Sequence, residues 1–135
     1  MNTLTLEAKI DNIPVVTDFI NEQLEALDCA MKAQLQIDVA VDEVFTNISS
    51  YAYSGGSGMA TVRIDFDAET RVASISFEDK GVPFNPLEQE EPDVTLSAEE
   101  RPIGGLGIFL VRKTMDQVRY ERRGDTNVLV IEKKI

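Results

Sequence analysis

Ser54-Gly55-Gly56-Ser57-Gly58 divides this chain into two periodicities. Upstream, Val16, Phe19 or Ile20, Leu24 and Leu27 recur at helical spacing, as do Ile37, Ala40, Val41, Val44 and Ile48. Each set gives a helix with one apolar stripe. Downstream, Val62, Ile64 and Phe66, then Ala73, Ile75 and Phe77, alternate with polar residues, the pattern of strands with one buried face. A stripe and a sheet face must each be covered, and laying the helices on one side of a sheet covers both.

The full reading follows from local signals. Residues 3–10 alternate as a first strand; Asp11, Asn12 and Pro14 then open a helix. A second helix is predicted from Met31 to Tyr53. Strands over 61–67 and 71–78 are joined by a hairpin connection at 67–70. A third helix is predicted over 106–116, and strands over 117–122 and 127–133 turn at 123–126. The order is β-α-α-β-β-lid-α-β-β. It predicts an α+β fold, a two-layer α/β sandwich with a mixed, mostly antiparallel sheet and helices on one face. No repeat or internal boundary interrupts it, so residues 1–135 read as one domain.

Residues 85–103 are the one long irregular stretch. They hold Pro86, Pro92 and Pro102, six acids and a single base, Arg101. A connection of this length inside a small domain is usually a functional lid or a mobile segment. Ser97 with Glu100 could cap one helical turn before Pro102.

Charge and composition exclude several chemistries. A net charge of −11 repels nucleic acid, and no Lys/Arg stripe offsets it. The absence of histidine removes His-based acid–base catalysis, Ser-His-Asp triads and the usual zinc sites. The metal that remains plausible is a hard, oxygen-bound ion such as Mg²⁺. No apolar run approaches the roughly 20 residues of a membrane helix, and the N-terminus lacks signal-peptide character. A single cysteine, Cys29, suits a reducing compartment, so the expected location is the cytoplasm.

Three short motifs carry chemistry. Glu43 and Asn47 lie one helical turn apart: an amide oxygen can ligate Mg²⁺ and a carboxylate can take a proton from an attacking hydroxyl. Taken alone, the pair is better described as a solvated polar edge beside the apolar stripe. Asp79 ends a strand before Gly81 and Pro83. A buried carboxylate there could accept a hydrogen bond from an exocyclic amine, with Gly81 admitting the ring, or it could be an ordinary strand exit. Gly104-Gly105-Leu106-Gly107 opens a helix, where free N–H groups and the helix dipole favour phosphate. It is neither a Walker A loop nor a Rossmann fingerprint.

In this order and with these gaps, the motifs resemble the GHKL ATPases with their Bergerat nucleotide-binding fold. Within them the chain is similar, over nearly its whole length, to bacterial anti-sigma factors that are also serine-protein kinases. The resemblance implies that Glu43 is the catalytic base and Asn47 the Mg²⁺ ligand. It makes Asp79 the adenine-reading aspartate, with Gly81 beside it. Gly105 and Gly107 match the phosphate-loop glycines, flanked by Gly104 and Leu106, and Thr126 lies near a threonine beside the adenine. Residues 85–103 match the ATP lid. The chain departs in having Tyr51 where many relatives have histidine. Arg101 sits upstream of the usual basic residue, leaving open a terminal-phosphate contact or a surface pairing with Glu99 or Glu100. Arg112 and Lys113 are likewise open to phosphate or solvent.

The function so implied is an ATP- and Mg²⁺-dependent anti-sigma factor that phosphorylates a serine of an anti-anti-sigma protein of the STAS fold. A sigma factor is the competing partner. The alternative is a non-catalytic, ATP-gated binding module of the same fold. The ATP-binding half of a sensor histidine kinase is a weaker match, since no histidine and no upstream helical hairpin are present. Relatives often dimerise through the sheet edge or the helical layer, which leaves a homodimer open.

Overall fold

The alternating segments pair into one sheet, and the two striped helices with a third cover its apolar face. The structure, a computed structural model, describes residues 2–53, 56–88 and 105–135, the first two of the last segment by backbone only. The strands are β1 (Asn2–Glu7), β2 (Met59–Asp67), β3 (Val72–Asp79), β4 (Gln117–Arg123) and β5 (Thr126–Lys134). The helices are α1 (Ile13–Ala26), α2 (Met31–Asn47) and α3 (Gly105–Thr114). The sheet order is β1-β2-β3-β5-β4, and all four pairings are antiparallel. The α+β sandwich read from the sequence is the one observed.

The helical stripes bury as their spacing requires. Val16, Ile20 and Leu24 of α1 and Ile37, Ala40, Val41 and Val44 of α2 are all buried, while Phe19 is only partly covered. They meet Val62, Ile64, Ala73, Ile75, Phe77 and Ile131 from the inner face of the sheet. Phe45 and Phe77 are the largest fully buried side chains. The outer sheet face is polar and pairs across strands: Thr5 with Thr61 at 3.0 Å, Arg63 with Glu78 at 3.0 Å, and the Ser74 hydroxyl to Glu132 at 2.7 Å. The described helices therefore lie on one side only.

Two boundaries differ from the sequence reading. The first strand ends at Glu7 rather than near residue 10, because the Asn12 amide donates to the Glu7 carbonyl at 2.8 Å and folds residues 10–12 into a 3-10 turn. The second helix changes character at its end: α2 stops at Asn47 and the chain continues as a π-helix, Ile48–Ala52. Such wide turns occur often at functional sites. The lid reading falls largely on residues 89–103, and Pro92, Ser97, Glu100, Arg101, Pro102 and Gly104 lie outside the described residues.

The core makes a plain forecast. Phe45→Ala removes a fully buried ring and should lower unfolding free energy by about 3–5 kcal/mol in urea titrations. Met31→Ala, on the same helix but 68% exposed, should change it by less than about 0.5 kcal/mol.

Candidate functional site

Asp79 owes its position to register. It is the last residue of β3, inward-facing and 5% exposed, opposite Ala60 on one side and Asn127 on the other. Its Oδ1 accepts the Gly81 N–H at 2.9 Å and the Asn127 Nδ2–H at 3.0 Å. The second carboxylate oxygen is not needed for that turn and suits an amine donor from a ligand.

Gly81 is required by a close approach rather than by a positive φ. A Cβ there would overlap the Ala52 backbone, where the π-helix passes the strand end. The next residue completes the contact, since the Val82 N–H donates to the Ala52 carbonyl at 2.7 Å. The Arg122 guanidinium holds the turn from β4, donating to the Gly81 carbonyl at 2.8 Å and to the Gly124 carbonyl at 3.0 Å.

Asn127 is the residue that sequence reasoning missed. Its Nδ2 serves Asp79 and, at 2.8 Å, the Val82 carbonyl; its Oδ1 accepts the Tyr120 hydroxyl and the Phe84 N–H. The signal was available: Asn127, Leu129 and Ile131 share the inward face of β5, and a lone amide on an apolar face needs a polar partner. Thr126, the predicted neighbour of the base, lies on the outer face, its hydroxyl donating to Asp125. It lines an outer groove with Tyr53, Arg63, Glu78, Lys80 and Asp79 itself, whereas the side chain hydrogen-bonded to Asp79 on the inner face is Asn127.

Asn47 reaches the same cleft from α2. It is 8% exposed, and its Nδ2 is buried without a hydrogen-bond partner among the described residues. Asn47, Asp79, Asn127, Phe77, Phe84 and Tyr120 line a mostly apolar cavity of about 30 Å³. Ligand clefts usually hold roughly 300–1,000 Å³, so a purine enters only if a wall moves. Phe84 is a partly exposed wall, held by a tilted contact with the half-exposed Tyr51 ring at 5.3 Å and a 3.5 Å hydrogen bond.

Glu43 sits one turn before Asn47 and faces α3. A Cβ at Gly107 would collide with the Glu43 carboxylate, so the glycine lets the start of α3 close over it. Burial pushes the Glu43 carboxyl above the ordinary glutamate range, and the Asp42 charge adds to the effect. A more basic carboxylate is a better proton acceptor. Gly105 and Leu106 form the first residues of α3, as the loop-to-helix reading requires. The structure thus brings Asn47 together with Asp79, and Glu43 together with Gly107. The donor set fits a nucleotide: an orphaned buried amide, a spare carboxylate oxygen and a glycine cradle at a helix N-terminus.

Two outcomes test this geometry. Asn127→Ala strips partners from Asp79, Val82 and Tyr120; it should cost about 1–3 kcal/mol in denaturant and weaken ATP binding by calorimetry. For Glu43 the sign is set by its raised pKa. The folded chain binds its proton more tightly than the unfolded chain, so the contribution present below the unfolded pKa is lost as pH rises through the folded value. Glu43→Gln should therefore raise the melting temperature at about pH 7, and the gain should vanish near about pH 3.

The histidine kinase-like ATPase domain family matches residues 6–133. The chain is 26% identical over 100 residues to the serine/threonine-protein kinase BtrW of Bordetella bronchiseptica, covering 74% of this chain and 70% of that protein. It is 29% identical over 110 residues to the anti-sigma F factor of Pasteuria penetrans, covering 81% and 73%. Among solved structures, the histidine kinase domain of the Erythrobacter litoralis EL346 blue-light activated kinase superposes with a TM-score of 0.59 at 17% identity. That match covers 90% of this chain, which spans 60% of the solved one. The catalytic domain of the histidine kinase ThkA gives 0.50 at 14% identity, covering 99% and 97%. The first match spans nearly the whole chain, and this protein belongs to the histidine kinase-like ATPase domain family.

Proposed function

We propose that this chain is a single ATPase domain that works as an anti-sigma regulatory factor and serine-protein kinase in the cytoplasm. The observation that carries the reading is Glu43 lying against Gly107 at the start of α3, one helical turn from Asn47 in the Asp79 cleft. A protein that only bound nucleotide would have no use for a half-buried, more basic carboxylate at that point. The two curated relatives are named as a serine/threonine kinase and an anti-sigma factor, which supports joining the two activities here.

In this reading Asp79 accepts the exocyclic amine of adenine and Asn47 supplies an oxygen to Mg²⁺. The start of α3 presents N–H groups to the phosphates. A serine hydroxyl of a STAS-domain anti-anti-sigma partner attacks the terminal phosphorus. The new O–P bond forms as the bond to the bridging oxygen breaks, ADP departs, and Glu43 takes the hydroxyl proton. Transfer of this kind depends on positioning and charge neutralisation more than on many reactive side chains. Loss of the phosphorylated partner would free this protein to hold a sigma factor.

Intact mass of the STAS-domain protein encoded nearest this gene, after incubation with Mg²⁺–ATP, checks the proposal. One added phosphate, absent with Glu43→Ala while ATP still binds, is the expected result. Binding of the STAS protein without transfer would instead make the chain a nucleotide-gated binding module.

A further inference from the structure

Met31, Leu35 and Val39 are 68%, 57% and 54% exposed, yet they stand at successive i, i+4 positions of α2. Surface helices bury their apolar stripe and leave the opposite face polar. Here α2 has a buried stripe and, in addition, this exposed one. Two more steps of four residues lead from Val39 to Glu43 and Asn47. Each step turns the ridge by about 40° toward the covered side, so it starts in solvent and ends in the site. From Met31 to Glu43 it extends about 18 Å. On α3, Leu110 is 41% exposed, three residues past the glycine that touches Glu43. Exposed apolar surface converges on the proposed base from two helices.

Charge selects the occupant. Residues 13–47 contain seven acids and one base, Lys32. Asp42 is exposed on α2 three residues past Val39, Glu25 is exposed on α1 and accepts the Gln34 amide of α2 at 3.5 Å, and Asp18, Glu22 and Asp28 are exposed elsewhere on α1 and the turn after it. A second copy of this chain would bring the same acidic layer against it, and like charges across an interface disfavour that pairing. A partner with an apolar face edged by Lys or Arg is complementary.

We infer that the Met31–Leu35–Val39 ridge is the docking surface for the phosphoacceptor protein, which lays a basic-edged apolar face along α2 and so brings its hydroxyl to Glu43. The inference rests on the kinase reading above and adds the surface that selects the substrate. Apolar anchors near a site, rather than the charged rim, carry most of the energy of such contacts.

The double variant Leu35→Gln/Val39→Gln changes two exposed positions outside the nucleotide cleft and adds no charge beside Glu43. Calorimetry with the STAS-domain protein in the presence of Mg²⁺–ATP, intact-mass transfer, ATP affinity and sedimentation would be measured for it and for the wild type. The expected result is a loss of acceptor affinity of about tenfold or more, with transfer at low acceptor concentration falling in step. ATP affinity and melting temperature should not change. Equal acceptor binding and transfer by the two proteins overturns the ridge and leaves the kinase reading intact. Acceptor binding without transfer by the wild type, lost in the variant, keeps the ridge and removes the kinase reading. No binding and no transfer by the wild type overturns both. A wild-type dimer that the variant disperses without loss of acceptor binding assigns the ridge to a second copy and overturns the inference.

Discussion

The rest of the structure hangs on one backbone contact between layers. Where the π-helix Ile48–Ala52 passes the end of β3, the Ala52 carbonyl takes the Val82 N–H at 2.7 Å, and Gly81 lies against the same peptide. Only a residue without Cβ allows that approach. The contact fixes how far the helical layer stands from the sheet at this end. That spacing is the width of the cleft between Asn47 and Asp79. Elsewhere the layers are held apart by side chains such as Phe45 and Ile75, which tolerate small shifts; a peptide-to-peptide hydrogen bond tolerates much less.

Around this junction the chain buries polar groups that a core would ordinarily exclude. Asp79 and Asn127 cover the cost by satisfying one another and three backbone groups. Asn47 does not: its buried Nδ2 lacks a partner among the described residues. An unmet donor costs about 1–3 kcal/mol, a standing penalty that a bound ligand or rearranged amide can remove. Glu43 carries a second penalty of the same kind, since burial disfavours its charge. Both lie on the last turn and a half of α2, whose other inward residues are apolar and buried. Stability is thus given up at one end of one helix, where the chemistry is proposed.

The sequence disclosed the fold well because its signals were periodic. Stripes at 3.6 residues and alternation at 2 were each written by many residues at once, and Ile37, Val41, Val44, Val62 and Ile75 all fell where the patterns put them. The site was legible only as separate motifs, since joining Glu43 to Gly107 or Asp79 to Asn127 needs contacts across 64 and 48 positions. Local pattern carries no such information. Thr126 shows how narrow the margin is. Along a strand, one residue reverses the face, so an uncertain register exchanged the outward threonine for the inward asparagine. The π-helix was illegible for a different reason: nothing in residues 48–52 separates a π-turn from the α-helix before it, and the contact between the Ala52 carbonyl and Val82 lies 30 positions on.

In the proposed reading, the two ends of the cleft offer a nucleotide different partners. The start of α3 offers the N–H groups of a helical first turn and the positive end of a helix dipole. The Asp79 end offers a carboxylate, which repels phosphate and attracts an amine. A base at Asp79 and phosphates toward α3 is the arrangement with the lower energy; the reverse sets an anion against a buried acid. Glu43, however, lies against that same α3 terminus, and a carboxylate beside phosphates is itself repulsive. Its raised pKa lessens the conflict without removing it. A divalent cation held between the Asn47 amide and the phosphates would remove it, by neutralising the phosphate charge nearest the carboxylate. Under the proposed function, such a cation would let the Glu43 carboxylate and an anionic ligand share one end of the cleft.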